Sequence, residues 1–496
     1  MTYGLRNFLF AGAALAVLAQ PALAATAKST AKADETAANI QALQRAVSDL
    51  DNQIQQLKRA QADQQSRADG DSSAALADLK RSGSDQYADL SGRLDALPKS
   101  AIDNGRFTFT PTDGRFSVAF RSLIQFDYGY FAQGHNPAAV DLNSGSNFRR
   151  AQFGVAGTAW HDWSYNFIYD FGGTGVEKNG YIYYAYLQYD GLGPFHIRGG
   201  AIAPFNGIED ATGSGDLFFL ERASAVDVAR NIGGAPGREG IDLFLQGDTY
   251  LVSAAYTTKK TTDAATFDSQ QAVVGRASWL IFSQPDFKWL LDANGSYIFK
   301  VADTAANVAT ANVASFSNGP EVGIDATKTV TTGNIDAVKV GEYGFETAAE
   351  YAGFFAQGGW YQYNIERRTA LPNPSFSGAY GFVTYSLTGE IHVYDPTTAS
   401  FRSLRPAHAL GDGGWGAWEL AARYSNLDLD FLPTRTLATG GVPGGKQDVW
   451  TFGVNWYPTN GLKFQLNYSN IHVDHANAPA TDISANAIAI RSQVQF

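Results

Sequence analysis

The 496-residue sequence contains no cysteine, which excludes disulfide frameworks, thiol nucleophiles and thiolate metal centres at the outset. That absence suits an oxidising envelope, where an unpaired thiol is a liability, although many cytosolic chains share it. An excess of positive charge is also missing. The 37 basic residues face 48 acidic ones, a net charge of −11, which argues against a nucleic-acid partner. Catalytic motifs are scarce: there is no Gly-x-Ser-x-Gly elbow and no HExxH. Gly411, Gly413 and Gly416 satisfy a dinucleotide fingerprint on paper, but "GAWELAARY" after them alternates with period 2 instead of opening a helix, so the stretch reads as a turn. His472 and His475 in "HVDH" read as part of a polar loop rather than a chelate. The chain is therefore expected to be no enzyme and to use no cofactor and no metal.

Long apolar runs are confined to the start. Arg6, the stretch from Phe8 to Ala19 and the small-x-small site Ala22-Leu23-Ala24 read as a signal peptide over residues 1–24, with a mature chain beginning near Ala25. Beyond it no run approaches the ~20 apolar residues of a membrane-spanning helix. This excludes helical spanning only. A closed β-barrel also crosses lipid, because every backbone group is paired between strands and no edge remains.

Composition changes near residue 100. Between Ala25 and Ser100 the only aromatic is Tyr87, while Ile40, Leu43, Val47, Leu50, Ile54 and Leu57 recur at spacings of three and four. This is a heptad seam with β-branched residues at a and leucine at d, followed by a poorer patch at Leu76, Leu79, Leu90, Leu94 and Leu97 interrupted by Gly70 and Gly83. Residues 25–100 are expected to form a periplasmic α-helical coiled coil and linker. An amphipathic helix packed on the mouth of the next domain is the alternative. The seam nominally favours two strands and does not by itself establish a trimer.

Past Pro98 the period switches to 2. "FSVAFRSLIQFDYGYF" sets Phe116, Val118, Phe120, Ile124, Phe126 and Tyr128 against Ser117, Arg121, Gln125 and Asp127. At the end of the chain Ile488, Ile490, Val494 and Phe496 oppose Ala489, Arg491, Gln493 and Gln495. Asn460-Gly461 marks a tight hairpin, and Trp450, Trp456 and Tyr457 sit near strand ends, where amphipathic rings suit a lipid interface. A soluble sandwich would bury the aromatic face; a transmembrane barrel turns it outward around a wet interior. Nearly 400 residues of such sequence, following an export signal and showing no domain boundary, exceed one sandwich. At ~24 residues per strand with its connection they supply roughly 16 antiparallel strands over residues 101–496.

The ordered set "NFRRAQFGVAGTAWHDWSYNFIYDFGG", "AYLQYDGLGPFHIRGG", "FFLERA", "SLTGE", "GAWEL" and "FGVNWYP", spread from about Phe107 to Phe496, resembles the phosphate-selective porin O and P family of outer-membrane proteins. The resemblance implies a homotrimer of 16-stranded barrels in outer-membrane lipid, with a constriction loop folded inward after "FNGIE" and a basic site in the pore. It matches Arg149 and Arg150 to an arginine pair of the anion site, Arg121 to a pore-lining position and Arg405, less securely, to another basic residue. By alternation Arg150 faces the lumen, so Arg149 must swing in at a strand end or a distortion. Guanidinium groups suit such a task, since they stay charged and pair bidentately with phosphate oxygens.

The sequence departs from the family pattern where phosphate-specific members carry a run of arginines: "FSNGPEVGIDATKTVTTGNID" holds only Lys328. Asp210 stands where a lysine follows the loop glutamate, and Gln152 replaces an aromatic. Beyond residue 100 there are 26 basic and 37 acidic residues, so any anion preference must come from local placement of a few arginines. The expected function is passive diffusion of small hydrophilic or anionic solutes, with phosphate as a candidate. The alternative is an envelope-anchoring protein whose coiled coil contacts the cell wall or a partner.

Overall fold

The computed structural model describes residues 46–57, 59, 72–95, 99–103, 106–134, 140–173, 180–263, 267–303 and 312–496. The expected signal peptide and the start of the heptad seam at Ile40 and Leu43 lie outside them. The chain divides into two compact units, Met1–Asp95 and Ala96–Phe496. In the first, residues 46–57 are helical and a second helix, α1, spans Ser72–Asp95. Gly83 does not break α1, although a mid-helix glycine costs about 1 kcal/mol relative to alanine. Val47 and Ile54 of the seam are exposed, and self-association through them stays an expectation.

The second unit starts with a hairpin, Lys99–Asp103 with Arg106–Thr110, that joins the first long strand at Phe109↔Val118. Among the described residues sixteen barrel strands follow: β1 Val118–Gln133, β2 Gly145–Ala159, β3 Trp163–Asp170, β4 Tyr181–Leu192, β5 Phe195–Ile202, β6 Arg238–Gln246, β7 Tyr250–Lys260 and β8 Gln271–Ser283. The ring continues through β9 Phe287–Lys300, β10 Lys339–Tyr351, β11 Phe354–Glu366, β12 Ser375–Ser386, β13 Ala417–Phe431, β14 Val442–Thr459, β15 Leu462–Asp474 and β16 Ile483–Gln495. Each pairs antiparallel with the next, and β16 returns to β1 through pairs such as Arg491↔Asp127. The ring of sixteen closes on itself and leaves none of its own strands as an edge, the condition for spanning lipid without helices.

One end of the barrel has mostly short turns. Asn460-Gly461 is a two-residue connection, with Gly461 at φ 84°. The other end carries longer loops. Along β16, Ile488 and Ile490 are half exposed while Arg491 and Gln493 are buried, so the apolar side faces out and the polar side faces in. No described helix is long and apolar enough to cross a membrane, which says nothing of crossing by strands.

Two expectations need correction. Tyr457 is not an interfacial ring: it is buried inside the barrel and its hydroxyl donates to Glu419 Oε2 at 2.8 Å. Trp456 does lie at the rim, stacked between Trp418 and Phe464. Nor is the interior uniformly wet. Phe355, Tyr361, Tyr363, Phe376 and Phe382 face inward and are buried. The reason is that chain segments fold into the lumen and need an apolar wall to pack against. Segment 203–237, between β5 and β6, brings in α2 (Ile208–Ala211) and α3 (Ser224–Gly233). Phe218 of this segment stacks on Phe355 with ring centroids 4.8 Å apart. The described residues of segment 301–338, 301–303 and 312–338, enter from the same end. Segment 387–416 enters from the short-turn end, with Phe401 packed edge-on to Phe355. Its glycines Gly411, Gly413 and Gly416 all take positive φ, as a turn demands.

Candidate pore constriction

The constriction is built where segment 203–237 meets β1, β2, β13 and β16. Pairing between β1 and β2 jumps from Gln125↔Arg150 to Phe126↔Phe148, so Arg149 is the extra residue of a β-bulge. The bulge turns two successive side chains to one face. Arg149 and Arg150 are both buried, whereas Phe148 and Phe153 on either side of them point outward.

Arg149 grips Glu221 of segment 203–237 at two points, Nε to Oε1 at 2.7 Å and Nη2 to Oε2 at 2.8 Å. Arg491 on β16 donates to the same carboxylate at 3.1 Å, holds both oxygens of Asp127 at 2.7 and 2.6 Å, and donates to the Leu220 carbonyl. Burial would push the Glu221 carboxyl up, but Arg149, with its hydrogen bond, Arg491 and Arg150 overcome it and hold Glu221 down to about 2. Arg150 donates to Gln125 Oε1 at 2.8 Å.

A second clamp lies on β13. Arg423 donates to Glu321 of segment 301–338 at 2.7 Å and to the Glu221 carbonyl at 2.8 Å, with its guanidinium 4.5 Å above the Phe219 ring. Glu321 also accepts the Ser224 N–H at the start of α3, the Ser224 hydroxyl and the Ser425 hydroxyl. These donors hold Glu321 at φ 60°, a backbone conformation unusual outside glycine. Glu209 of α2 is pushed up to about 7 by burial, which Arg423, Arg222 and the Ala223 N–H only partly offset.

The signs of charge are sorted across the ring. Arg121, Arg149, Arg150 and Arg491 stand on β1, β2 and β16. On the other side, Glu342, Glu346 and Glu350 are all buried on the inner face of β10. Glu346 accepts the backbone N–H groups of Ile208 and Glu209 and the Tyr380 hydroxyl, so segment 203–237 leans on the acidic wall. At the long-loop end a cavity of about 320 Å³ is lined by Arg149, Arg150, Arg230, Lys260 and Lys328, and equally by Glu221, Asp227, Asp263, Glu321 and Asp325. Among the described residues no cluster of histidine and carboxylate side chains is arranged to hold a metal ion.

The model of the family described as phosphate-selective porin O and P matches residues 116–496. The chain belongs to that family. Among its curated relatives, Porin O of Pseudomonas aeruginosa is 26% identical over 413 residues, covering 79% of this chain and 91% of that one. An uncharacterised protein of Caulobacter vibrioides is 24% identical over 417 residues, covering 81% and 79%. Similar solved structures include OprB of Pseudomonas putida, with a TM-score of 0.48, 9% identity and 77% and 95% of the two chains covered. An anion-selective porin from Comamonas acidovorans gives a TM-score of 0.43 at 12% identity, with 77% and 100% covered. The present chain is an outer-membrane porin.

In this porin the four sequence-nominated arginines do not form one cluster. Arg149 and Arg150 sit in the bulge. Arg121 is on the same inner face of β1, nearer the short-turn end, within electrostatic reach of Tyr184, Tyr186, Arg402 and Asp216. Among the described residues Arg121 makes no hydrogen bond or ion pair. Arg405 lies in segment 387–416, outside any strand, with its side chain exposed. The departures from the family pattern also have places. Asp210 pairs with Arg230, Gln152 donates to Asp170 at 2.8 Å, and Lys328 lines the long-loop cavity.

Sequence reasoning missed the acids that hold the arginines. Parity put Asp127 and Arg491 on inner faces, and "FFLERA" contained Glu221, but nothing in the one-dimensional pattern paired them. It also missed Arg423 and the inward course of segments 301–338 and 387–416.

Proposed function

We propose that this porin passes small hydrophilic solutes by diffusion, as a homotrimer with its N-terminal helical segment in the periplasm, and that it prefers anions mildly rather than selecting phosphate. The observation that carries this reading is the unequal state of the lumenal arginines. Arg149 and Arg491 share Glu221, Arg198 faces Asp242 and Arg276 faces Asp292, whereas Arg121 makes no ion pair among the described residues and feels only Asp216 from a distance. A guanidinium already matched by a carboxylate offers little net charge to a passing anion; one with no ion pair offers much more. The balance of five cations and five acids around the long-loop cavity supports the same weak preference.

The test is the reversal potential of the full-length protein in planar bilayers under a potassium chloride gradient, with and without phosphate. A modest anion preference that falls in Arg121→Ala, and no phosphate block below the millimolar range, is the expected result. Sub-millimolar block would replace this reading with the phosphate-specific one. A protein that inserts but never conducts would favour the anchoring alternative.

A further inference from the structure

We propose that His392 is a positioning residue that holds segment 387–416 inside the lumen, and with it Arg402 beside Arg121, for as long as its imidazole carries both protons. The proposal rests on the reading of the chain as a mildly anion-preferring porin. Its geometry is local and complete. His392 is buried, and each ring nitrogen faces an acceptor: Nδ1 is 2.8 Å from the Arg402 carbonyl and Nε2 is 2.7 Å from Glu419 Oε1. A carbonyl oxygen only accepts, so Nδ1 carries a proton. Glu419 takes two further donors on its other oxygen, from Asn455 and the Tyr457 hydroxyl, which keeps it an acceptor toward Nε2. The backbone N–H of His392 donates to Glu350 on β10 at 3.2 Å.

These bonds secure a segment that has other work in the lumen. Ser403, the residue after Arg402, donates its N–H to Asp216 of segment 203–237 at 3.1 Å, so the two inward segments touch. The Arg402 guanidinium is aimed by Asp395, with Nε and Nη2 at 2.9 and 2.7 Å from Oδ2, and remains partly exposed. Arg402, its charge shared with Asp395, and Arg121 sense each other electrostatically at the short-turn side of the constriction, with Asp216 also in reach of Arg121.

The groups facing His392 come from every neighbouring element. They are Glu419 on β13, Glu350 on β10, Tyr457 on β14 through Glu419, and the Arg402 carbonyl on its own segment; Phe218 and Phe355 supply apolar contacts. Lys463 on β15 and Asp216 act on Glu419 or on each other from one layer away. Burial alone would lower the imidazole, but Glu419, its hydrogen bond, the Arg402 carbonyl and Glu350 outweigh it and raise His392 above its ordinary value. A raised histidine stabilises the folded contact fully below the unfolded value of ~6.5 and loses that contribution as pH rises through the folded one. Neutral imidazole has one N–H, so one of the two bonds must go.

The experiment is a pH series of reversal potentials on the full-length porin in bilayers. For wild type the chloride-to-potassium permeability ratio is expected to fall by about two-fold, with noisier current, between about pH 6 and about pH 9. Glu419→Gln, which removes the facing charge, shifts that midpoint downward, and His392→Gln abolishes the dependence. A wild-type ratio that stays flat, or an unchanged midpoint in both variants, overturns the proposal while leaving the porin reading intact. Membranes that stay silent at every pH overturn the porin reading itself. Should the variants fail to assemble, titration of 15N-histidine in the wild-type protein decides: a buried imidazole titrating with the selectivity midpoint supports the proposal, and none doing so overturns it.

Discussion

Arg149 and Arg121 stand on neighbouring strands of one barrel, both on its inner face, yet they live in different chemistry. Arg149 meets a carboxylate delivered by an inward-folded segment and becomes part of the wall. Arg121 meets tyrosines and another arginine, with Asp216 in reach but no ion pair among the described residues, and keeps most of its charge for whatever passes. The difference lies in what each guanidinium faces. A lumenal arginine in this fold is a fastening when a loop brings it an acid, and a site for solute when none does.

The largest disturbance of that contrast is expected from Arg423→Ala. It strips Glu321 of its buried cation, and breaking a buried pair from one side costs about 3–5 kcal/mol. The temperature at which the detergent-solubilised barrel loses its compact mobility on gels should drop clearly, and single-channel currents should become larger and less regular as segments 203–237 and 301–338 loosen. Glu221→Gln comes next, because it erases the distinction between the two regions. With its acid gone, Arg149 should behave like Arg121, and the chloride-to-potassium ratio should rise several-fold, with phosphate block appearing where wild type has none. If the ratio does not move, Arg149 is not reached by permeating ions.

Arg121→Ala sharpens the contrast from the other side. Selectivity should shift toward cations while stability changes by no more than about 0.5 kcal/mol, since no hydrogen bond or ion pair among the described residues is lost. A large loss of stability would show that Arg121 is also a fastening. The smallest effect is expected from acid. Glu221 is held down to about 2, so its contribution to the folded state is complete above the ordinary glutamate value of ~4.3 and disappears only as pH falls through about 2. Channel current should therefore show no step attributable to this clamp between neutral pH and about pH 4. An opening transition near pH 4 would mean that Arg149 and Arg491 do not hold Glu221 as tightly as their geometry implies.

Much of the fold was legible before any coordinates. The two-residue period of "FSVAFRSLIQFDYGYF" and of the final strand, the count of about 16 strands and the outward apolar face all appear in the barrel. Period alone settles which face of a strand is greasy, and the supply of such strands settles closure. The candidate site was legible only in part. Residue type and parity could point at Arg149, Arg150 and Arg121, and at the need for a distortion near Arg149. They could not tell that Phe355 and Phe382 would be turned inward, because an apolar residue on a lumenal face makes sense only once a loop is packed on it. Arg405 illustrates the same gap, since an irregular segment of 30 residues has no period from which to read direction.

The amino-acid sequence by itself determined a closed antiparallel barrel with its aromatic side in hydrocarbon and a few arginines inside. Only the tertiary structure decided which of those arginines are answered by an acid. Strand alternation is a property of neighbours along the chain, whereas the pairings Arg149 with Glu221, Arg491 with Asp127 and Arg423 with Glu321 join residues 72, 364 and 102 positions apart. Such meetings depend on where the inward segments come to rest, and that is set by packing inside the barrel rather than by any local preference of the chain.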